Sequence, residues 1–499
     1  MADVVLEKPG ILGLVEDTLA KGKQALVFVN TKRAAEKTAE DLAKAFLKRK
    51  VSDRGLSDKI LKAASDPTRQ CKRLAYCLTG GMAFHHAGLT SEQRGIIENA
   101  FREKKLGIIC CTPTLAAGLD LPAFRTIIRD LRRFTARGYV YIPVLEYLQM
   151  AGRAGRPKYD DYGESLIIVK SEKEAKELKE KYIEGEPEEI YSKLAVEPVL
   201  RTAVLSLIAT HIAKNKKELL EFFSHSFWAH QYGDVDQISS KLDKILHELA
   251  LYEFLVLEEK QNDFVSGDEV HNTGIKITAL GKRVSQLYID PTTAHAMMKR
   301  IARTERMQVT TIGLLHAAVY TLEGRPYVRA KAKEMLEYEE QIQEEPLLEE
   351  MDPFDYDDYI HAFKTALFLN DWMQERDEEY LLETYNVRPG ETRSRITTID
   401  WLLYAMSELS VYVGDARKIK TDLAKLRLRL KYGAKEELLP LLKFKGIGRI
   451  RARMLFKKSV RSSGDVKKSS LMKLSSVVGN AMAKSLKEQV GEKSKDGRL

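Results

Sequence analysis

Short, wholly apolar runs alternate with amphipathic stretches over the first 170 residues. Residues 24–30 (QALVFVN), 82–84, 106–111 (LGIICC), 124–128 and 165–169 read as strands. Between them, apolar positions recur at helical spacing at 32–39, 90–101 and 146–151, and Thr31 stands where a helix N-cap belongs. Strands that are apolar throughout, rather than alternating, predict a mostly parallel sheet covered on both faces. From residue 172 the period becomes helical. It is interrupted by a weak strand pair near Leu255 and Ile275, whose polar connection 260–273 holds Gly267 and predicts a hairpin tip. Pro291 opens a further helical region, and a basic helical stretch begins at Lys431 and frays over 488–499.

Length then sets the scale. At 499 residues the chain is too long for one core, which predicts three or four domains. The net charge of +9 is unevenly placed: from Lys431 onward there are eighteen Lys or Arg against six Asp or Glu, a net of +12, so the preceding 430 residues carry −3. A basic end of this kind suits a polyanionic partner. Residues 334–358 hold twelve acids and no Lys or Arg, which predicts an outer loop or edge turned away from any phosphate backbone. Cys110 and Cys111 lie in an apolar strand, and Cys71 and Cys77 have no accompanying histidines, so no zinc site is expected. No signal peptide and no apolar stretch of membrane-spanning length is evident, and a cytoplasmic, soluble protein is expected.

Candidate chemistry concentrates in three segments. Residues 149–157 (QMAGRAGRP) set Gln149 ahead of Arg153 and Arg156, whose planar forks can share one helical turn with only small residues between them. Residues 111–122 (CTPTLAAGLDLP) follow a buried strand, so Thr112, Thr114, Gly118 and Asp120 are expected at the carboxyl rim of the sheet, where ligands bind. Residues 130–143 (DLRRFTARGYVYIP) surround Phe134 with Arg132, Arg133 and Arg137, a basic and aromatic hairpin suited to a nucleic-acid strand. No G-x-x-x-x-G-K-[ST] loop occurs anywhere, so only half of an ATPase site is present.

Together with VFVNTKRAAEKTA (27–39) and FHHAGL (84–89), these segments resemble, in order and spacing, the second RecA-like domain of superfamily 2 helicases. In detail they are similar to the Ski2-like branch and its archaeal Hel308 (Hjm) DNA helicase family. The resemblance runs to the end of the chain. It implies a multidomain α/β plus α protein: a second RecA-like, P-loop NTPase-type α/β helicase domain at 1–171, a winged-helix domain at 172–290, a helical ratchet bundle at 291–430 and a helix-hairpin-helix DNA-binding domain at 431–499.

The resemblance further implies that Gln149, Arg153 and Arg156 act on ATP, with Gly118 and Asp120 beside them; Asp120 departs from the Asn expected there. Thr31, His85, His86, Thr112, Thr114, Arg132, Arg133, Phe134 and Arg137 are implied on the nucleic acid. In the ratchet bundle Trp401 is the implied base-stacking residue, with a core tryptophan as the competing reading. Arg393 and Arg395 straddle the implied arginine position, which Ser394 occupies. In the tail, LLKFKGIGRIRARMLF (441–456) offers Lys445, Gly446, Gly448, Arg449 and Arg451 to a DNA backbone.

The expected function is therefore the C-terminal part of an ATP-dependent 3′ to 5′ DNA helicase acting on single-stranded and forked DNA in replication-linked repair. ATP and Mg²⁺ would both require the missing first RecA-like domain, for which a separately encoded lobe is one expected partner, so the chain alone is expected to be inactive. A non-catalytic DNA-binding module and a Ski2-like RNA helicase fragment are the alternatives.

Overall fold

A computed structural model describes residues 10–46, 54–63, 67–116, 121–135, 138–155, 160–233, 235–258, 274–349, 352–414 and 417–491. The chain divides into two compact units: Met1–Ile190 with Asp377–Arg393, and Tyr191–Arg376 with Ser394–Leu499.

The first unit is built on a parallel sheet of β1 (Ala25–Phe28), β2 (Met82–His85), β3 (Ile108–Cys111), β4 (Arg125–Ile128) and β7 (Glu164–Ile167), ordered β2-β3-β1-β4-β7. Every residue of β1 to β4 is buried, as apolar runs covered on both faces require. In register, Leu26 pairs with Ile109 on one side and Thr126 on the other. The helix Lys32–Phe46 lays Ala35, Ala39, Leu42 and Ala43 into the core, and a Cβ on Gly80 would come within 3.0 Å of the Ala43 Cα. The helix Ser91–Arg102 opens on a capping box between Thr90 and Gln93. Between β4 and β7, β5 (Arg132–Thr135) and β6 (Gly138–Tyr141) form a separate antiparallel hairpin.

One buried charge ties this unit together. Arg125, fully buried on β4, donates to Glu164, to the Leu14 carbonyl at 2.9 Å, to Thr18 Oγ1 at 2.7 Å and to Asp17 at 2.8 Å. The helix Gly10–Ala20 is thereby fastened to the sheet by a guanidinium whose donors are satisfied, the condition on which a buried charge is tolerated.

In the second unit, the helices Glu197–Ala209, Lys216–Ser224, Val235–Leu251 and Ala279–Leu287 accompany a small antiparallel pair, β8 (Leu255–Leu257) and β9 (Ile275–Ile277). The expected hairpin tip at 260–273 with Gly267 lies outside the described residues. Six longer helices follow, from Pro291–Arg303 to Arg417–Tyr432. The last region closes its own core around Leu438, Leu441, Leu455, Val466, Leu474 and Leu486.

Two expectations are corrected. The acidic stretch is no loop: the helix Ala332–Glu344 occupies its first half and the helix Tyr356–Met373 begins within its end. Glu334 there binds the buried Lys364 at 2.7 Å, and Asp358 binds Arg325 at 2.6 Å, so basic partners from elsewhere in the chain offset the local charge. Finally, the first unit does not stop near residue 171: it continues to Ile190 and takes in Asp377–Arg393.

Candidate nucleic-acid interface

At the carboxyl ends of β1 to β4 a cleft of about 570 Å³ opens, lined by Thr31, Thr112, Thr114, Asp130, Arg133 and Arg388 among others. Parallel strands leave their chain turns and free backbone groups at this rim. Thr31 Oγ1 accepts the Ala34 N–H at 3.1 Å, capping the helix Lys32–Phe46, while its own hydroxyl proton remains to donate. Thr112 and Thr114 hold their hydroxyls 2.9 Å apart, Thr112 buried and Thr114 exposed. Arg133 is steadied by Glu146 at 3.0 Å. Four of the residues expected on nucleic acid therefore share one concave surface.

His85 and His86 do not join them as expected. His85 is 3 % and His86 0 % exposed. His85 Nε2 lies 2.9 Å from Glu98, and His86 stacks on Phe84, accepts the Gly88 N–H at 3.1 Å and places Nε2 3.3 Å from Glu36. Both rings face inward because the segment after β2 is covered. Gly390 donates its N–H to the Gly88 carbonyl at 3.0 Å, and a Cβ on Gly390 would come within 2.4 Å of the Ala87 carbonyl oxygen. Glu36 gathers His86, Gln70, Arg73 and Arg388. Glu36 and Arg388 escape sequence reading, since the partners that bury them lie 34 to 352 residues away along the chain.

The hairpin stands on this rim. Phe134 and Tyr139 are directly paired across β5 and β6, with ring centroids 5.3 Å apart in an edge-to-face contact. They are 69 % and 70 % exposed, an unusual position for two large rings with no covering element. Arg132 lies 4.2 Å over the Tyr141 ring. The base is held by Asn30 Nδ2 on the Arg132 carbonyl at 2.9 Å and by the Tyr182 hydroxyl on the Ile142 carbonyl at 2.7 Å. Arg137 lies outside the described residues.

The turn that carries Arg153 follows the helix Val144–Ala151, with Gln149 exposed. Arg153 reaches the Ala116 carbonyl with Nε at 3.2 Å and Nη2 at 2.5 Å, which ties this turn to the segment after β3. Backbone bonds between Ala123 and the pair Arg153 and Gly155 reinforce the tie. Gly163 also permits it, since a Cβ there would fall 2.3 Å from the Gly155 nitrogen. Gly118, Asp120 and Arg156 lie outside the described residues. Of the residues expected on a nucleotide, Gln149 and Arg153 are therefore the two whose surroundings are described. Among the described residues no group of His, Cys, Asp and Glu could hold a metal ion.

Further along, Arg393 is exposed and Arg395 donates to the Pro326 carbonyl at 3.3 Å. Trp401, half-buried, donates its indole N–H to the Leu287 carbonyl at 3.0 Å. Trp372 is a core residue: it donates to the Leu430 carbonyl at 2.8 Å and carries the Arg449 guanidinium 4.2 Å above its ring.

Arg449 also reaches the Arg376 carbonyl, and Arg451 turns back to the Gly446 carbonyl at 2.8 Å, so both are engaged within the protein. Lys445 and the two glycines remain exposed. Gly446 has φ +86°, and Gly448 opens the helix Arg449–Lys457 with no side chain capping its first N–H groups.

No helix among the described residues is long and apolar enough to cross a membrane. Three family models match the chain: a helicase conserved C-terminal domain over 10–158, a helix-turn-helix domain over 163–256 and domain 4 of an archaeal helicase over 312–433. The ATP-dependent DNA helicase Hel308 of Methanococcus vannielii is 36 % identical across 98 % of this chain and 68 % of its own length. Those of Methanocella arvoryzae and Pyrococcus horikoshii are each 37 % identical, across 96 % and 93 % of this chain and 64 % and 63 % of their own lengths. The chain spans about two thirds of the length of these curated relatives. With a helicase C-terminal domain, a helix-turn-helix domain and this identity along nearly its whole length, the chain belongs to the Hel308 family of ATP-dependent DNA helicases.

Proposed function

We propose that the chain is the DNA-gripping and arginine-donating part of a 3′ to 5′ helicase motor that opens forked DNA in replication-linked repair. The single observation that carries this reading is the cleft at the carboxyl rim of the sheet, where Thr31, Thr112, Thr114 and Arg133 meet beneath the exposed Phe134 and Tyr139. Hydroxyls and a guanidinium hold a phosphate backbone in register, while the two rings sit where a terminal base pair would be met. In this reading residues 172–290 are a winged helix, 291–430 a ratchet bundle presenting Trp401 to successive bases, and 431–499 a helix-hairpin-helix domain. Its Lys445, Gly446 and Gly448 take a backbone phosphate. His85 and His86 are assigned to supporting the cleft rather than to touching the strand.

ATP would be clasped by Gln149, Arg153 and Arg156 against a lobe carrying the Walker lysine and the Mg²⁺-binding acid. The G-x-x-x-x-G-K-[ST] sequence that carries the Walker lysine does not occur in these 499 residues. Charge developing on a transferred phosphoryl group is stabilised by donors that arrive as two lobes close. Arg153 would leave the Ala116 carbonyl for the phosphates, which links nucleotide state to the segment that carries Thr112 and Thr114.

The test mixes the purified chain with the Walker-containing lobe of a relative and measures ATP hydrolysis and unwinding of a tailed fork. Hydrolysis and unwinding that need both components, and that are lost on Arg153→Ala, support the proposal. A chain that binds forked DNA but never supports hydrolysis would instead be a DNA-binding module. Equal or tighter binding to matched RNA would favour the RNA helicase alternative.

A further inference from the structure

From Asp400 to Leu409 the helix Pro389–Leu409 is buried except at Asp400, Trp401, Tyr404 and Glu408, which form one stripe at helical spacing. The helix Ala279–Leu287 meets this stripe at two points. Trp401 donates to the Leu287 carbonyl at 3.0 Å, and Arg283 reaches the Tyr404 hydroxyl at 3.1 Å and Glu408 at 2.6 Å. The residue directly after Leu287 is Tyr288. It is 81 % exposed, among the most exposed large side chains of the protein.

Its backbone is left-handed, as at Lys104, His211, Glu253, Glu375, Asn386 and Ser459. Tyr288 ends the helix in the left-handed region, with φ +57° and ψ +32°, and donates its N–H to the Ser285 carbonyl. Gly or Asn normally takes this position, because a Cβ is disfavoured there. Elsewhere in this chain Gly233 and Asn386 do so. A bulky ring at a position that favours Gly, exposed to water, adds nothing to the core. A strained residue of this kind points to a role outside packing.

We propose that Tyr288 is a second base-stacking residue, which works beside Trp401 on single-stranded DNA. The inference rests on the reading of Trp401 as a base-stacking residue. Tyr288 directly follows Leu287, whose carbonyl the Trp401 indole binds, so a strand drawn over Trp401 would meet the Tyr288 position next. Arg283 and Arg427 flank the stripe, and Arg427 lies 5.0 Å over the Tyr404 ring, so cationic and aromatic groups interleave there. Stacking accepts any base, as a translocating strand requires.

The test uses the full chain and a labelled oligothymidylate, with melting followed in parallel. Tyr288→Asn removes the ring yet suits the left-handed backbone. The expected result is about 5- to 100-fold weaker binding with an unchanged or higher melting temperature, whereas Tyr288→Phe binds within about two-fold of the parent. A lower melting temperature with unchanged affinity would assign Tyr288 to the fold and overturn the proposal. Normal binding by Tyr288→Asn alongside weakened binding by Trp401→Phe overturns it while sparing the reading of Trp401. Normal binding by both variants removes both.

Discussion

The Glu36 carboxylate lies 3.0 Å from Nε of Arg388, 352 residues further along the chain. Burial alone would raise the Glu36 carboxyl, but the His86 hydrogen bond and the Arg388 charge overcome it and bring it down to about 2. His86 is held below its ordinary value by burial, with the Glu36 hydrogen bond opposing. Both signs make acid destabilising. An unfolded His86 takes up a proton below about 6.5, which the folded ring resists. A carboxylate depressed in the fold contributes fully above its ordinary 4.5, and that contribution is lost as pH falls toward 2. Melting temperatures measured from pH 7 to 2 should fall in two stages. In Glu36→Gln the second stage should be much weaker, and the variant should lose about 3 kcal/mol at neutral pH because Arg388 and His86 lose their partner.

Arg125 is the second buried charge with many partners, and its removal leaves Asp17 and Glu164 facing an apolar gap. Arg125→Met should cost about 3 to 5 kcal/mol in urea unfolding of the first unit. Retention of parental stability would show that the apolar contacts of the helix Gly10–Ala20 suffice to hold it.

Gly433 has φ +63°, and a Cβ there would lie 2.4 Å from the indole of Trp372. Gly433→Ala combines backbone strain with overpacking and should destabilise the second unit by about 2 to 4 kcal/mol. Trp372→Phe removes the hydrogen bond to Leu430 and should cost about 1 to 3 kcal/mol. Chemical denaturation monitored by circular dichroism reads both.

Phe134 and Tyr139 can be replaced without touching the core, since both are about 70 % exposed. Phe134→Ala and Tyr139→Ala should each melt within about 0.5 kcal/mol of the parent. On a fork with 2-aminopurine at the junction, the parent chain should raise fluorescence by unstacking the base, and Phe134→Ala should largely abolish that rise. A full rise in both variants would separate the hairpin from duplex opening.

Local elements were legible in the residues themselves. Apolar runs marked β1 to β4 and Thr31 marked a helix start, because strand period and capping act over a few neighbours, whereas the hairpin between Arg132 and Tyr141 was implied by the family resemblance. The convergence of Thr31, Thr112, Thr114 and Arg133 followed from strands that run parallel and so deliver their turns to one rim. Burial of His85 and His86, the recruitment of residues 377–393 into the first unit, and the contact of Arg449 with Trp372 were settled only in three dimensions. Each depends on a partner tens to hundreds of residues away: Gly390 for the histidine loop, Glu36 for Arg388, Trp372 for Arg449. Sequence by itself determined which elements form and which donors exist. Tertiary structure decided which donors face solvent, because a charged side chain stays exposed or turns inward according to the partner that the folded chain brings to it.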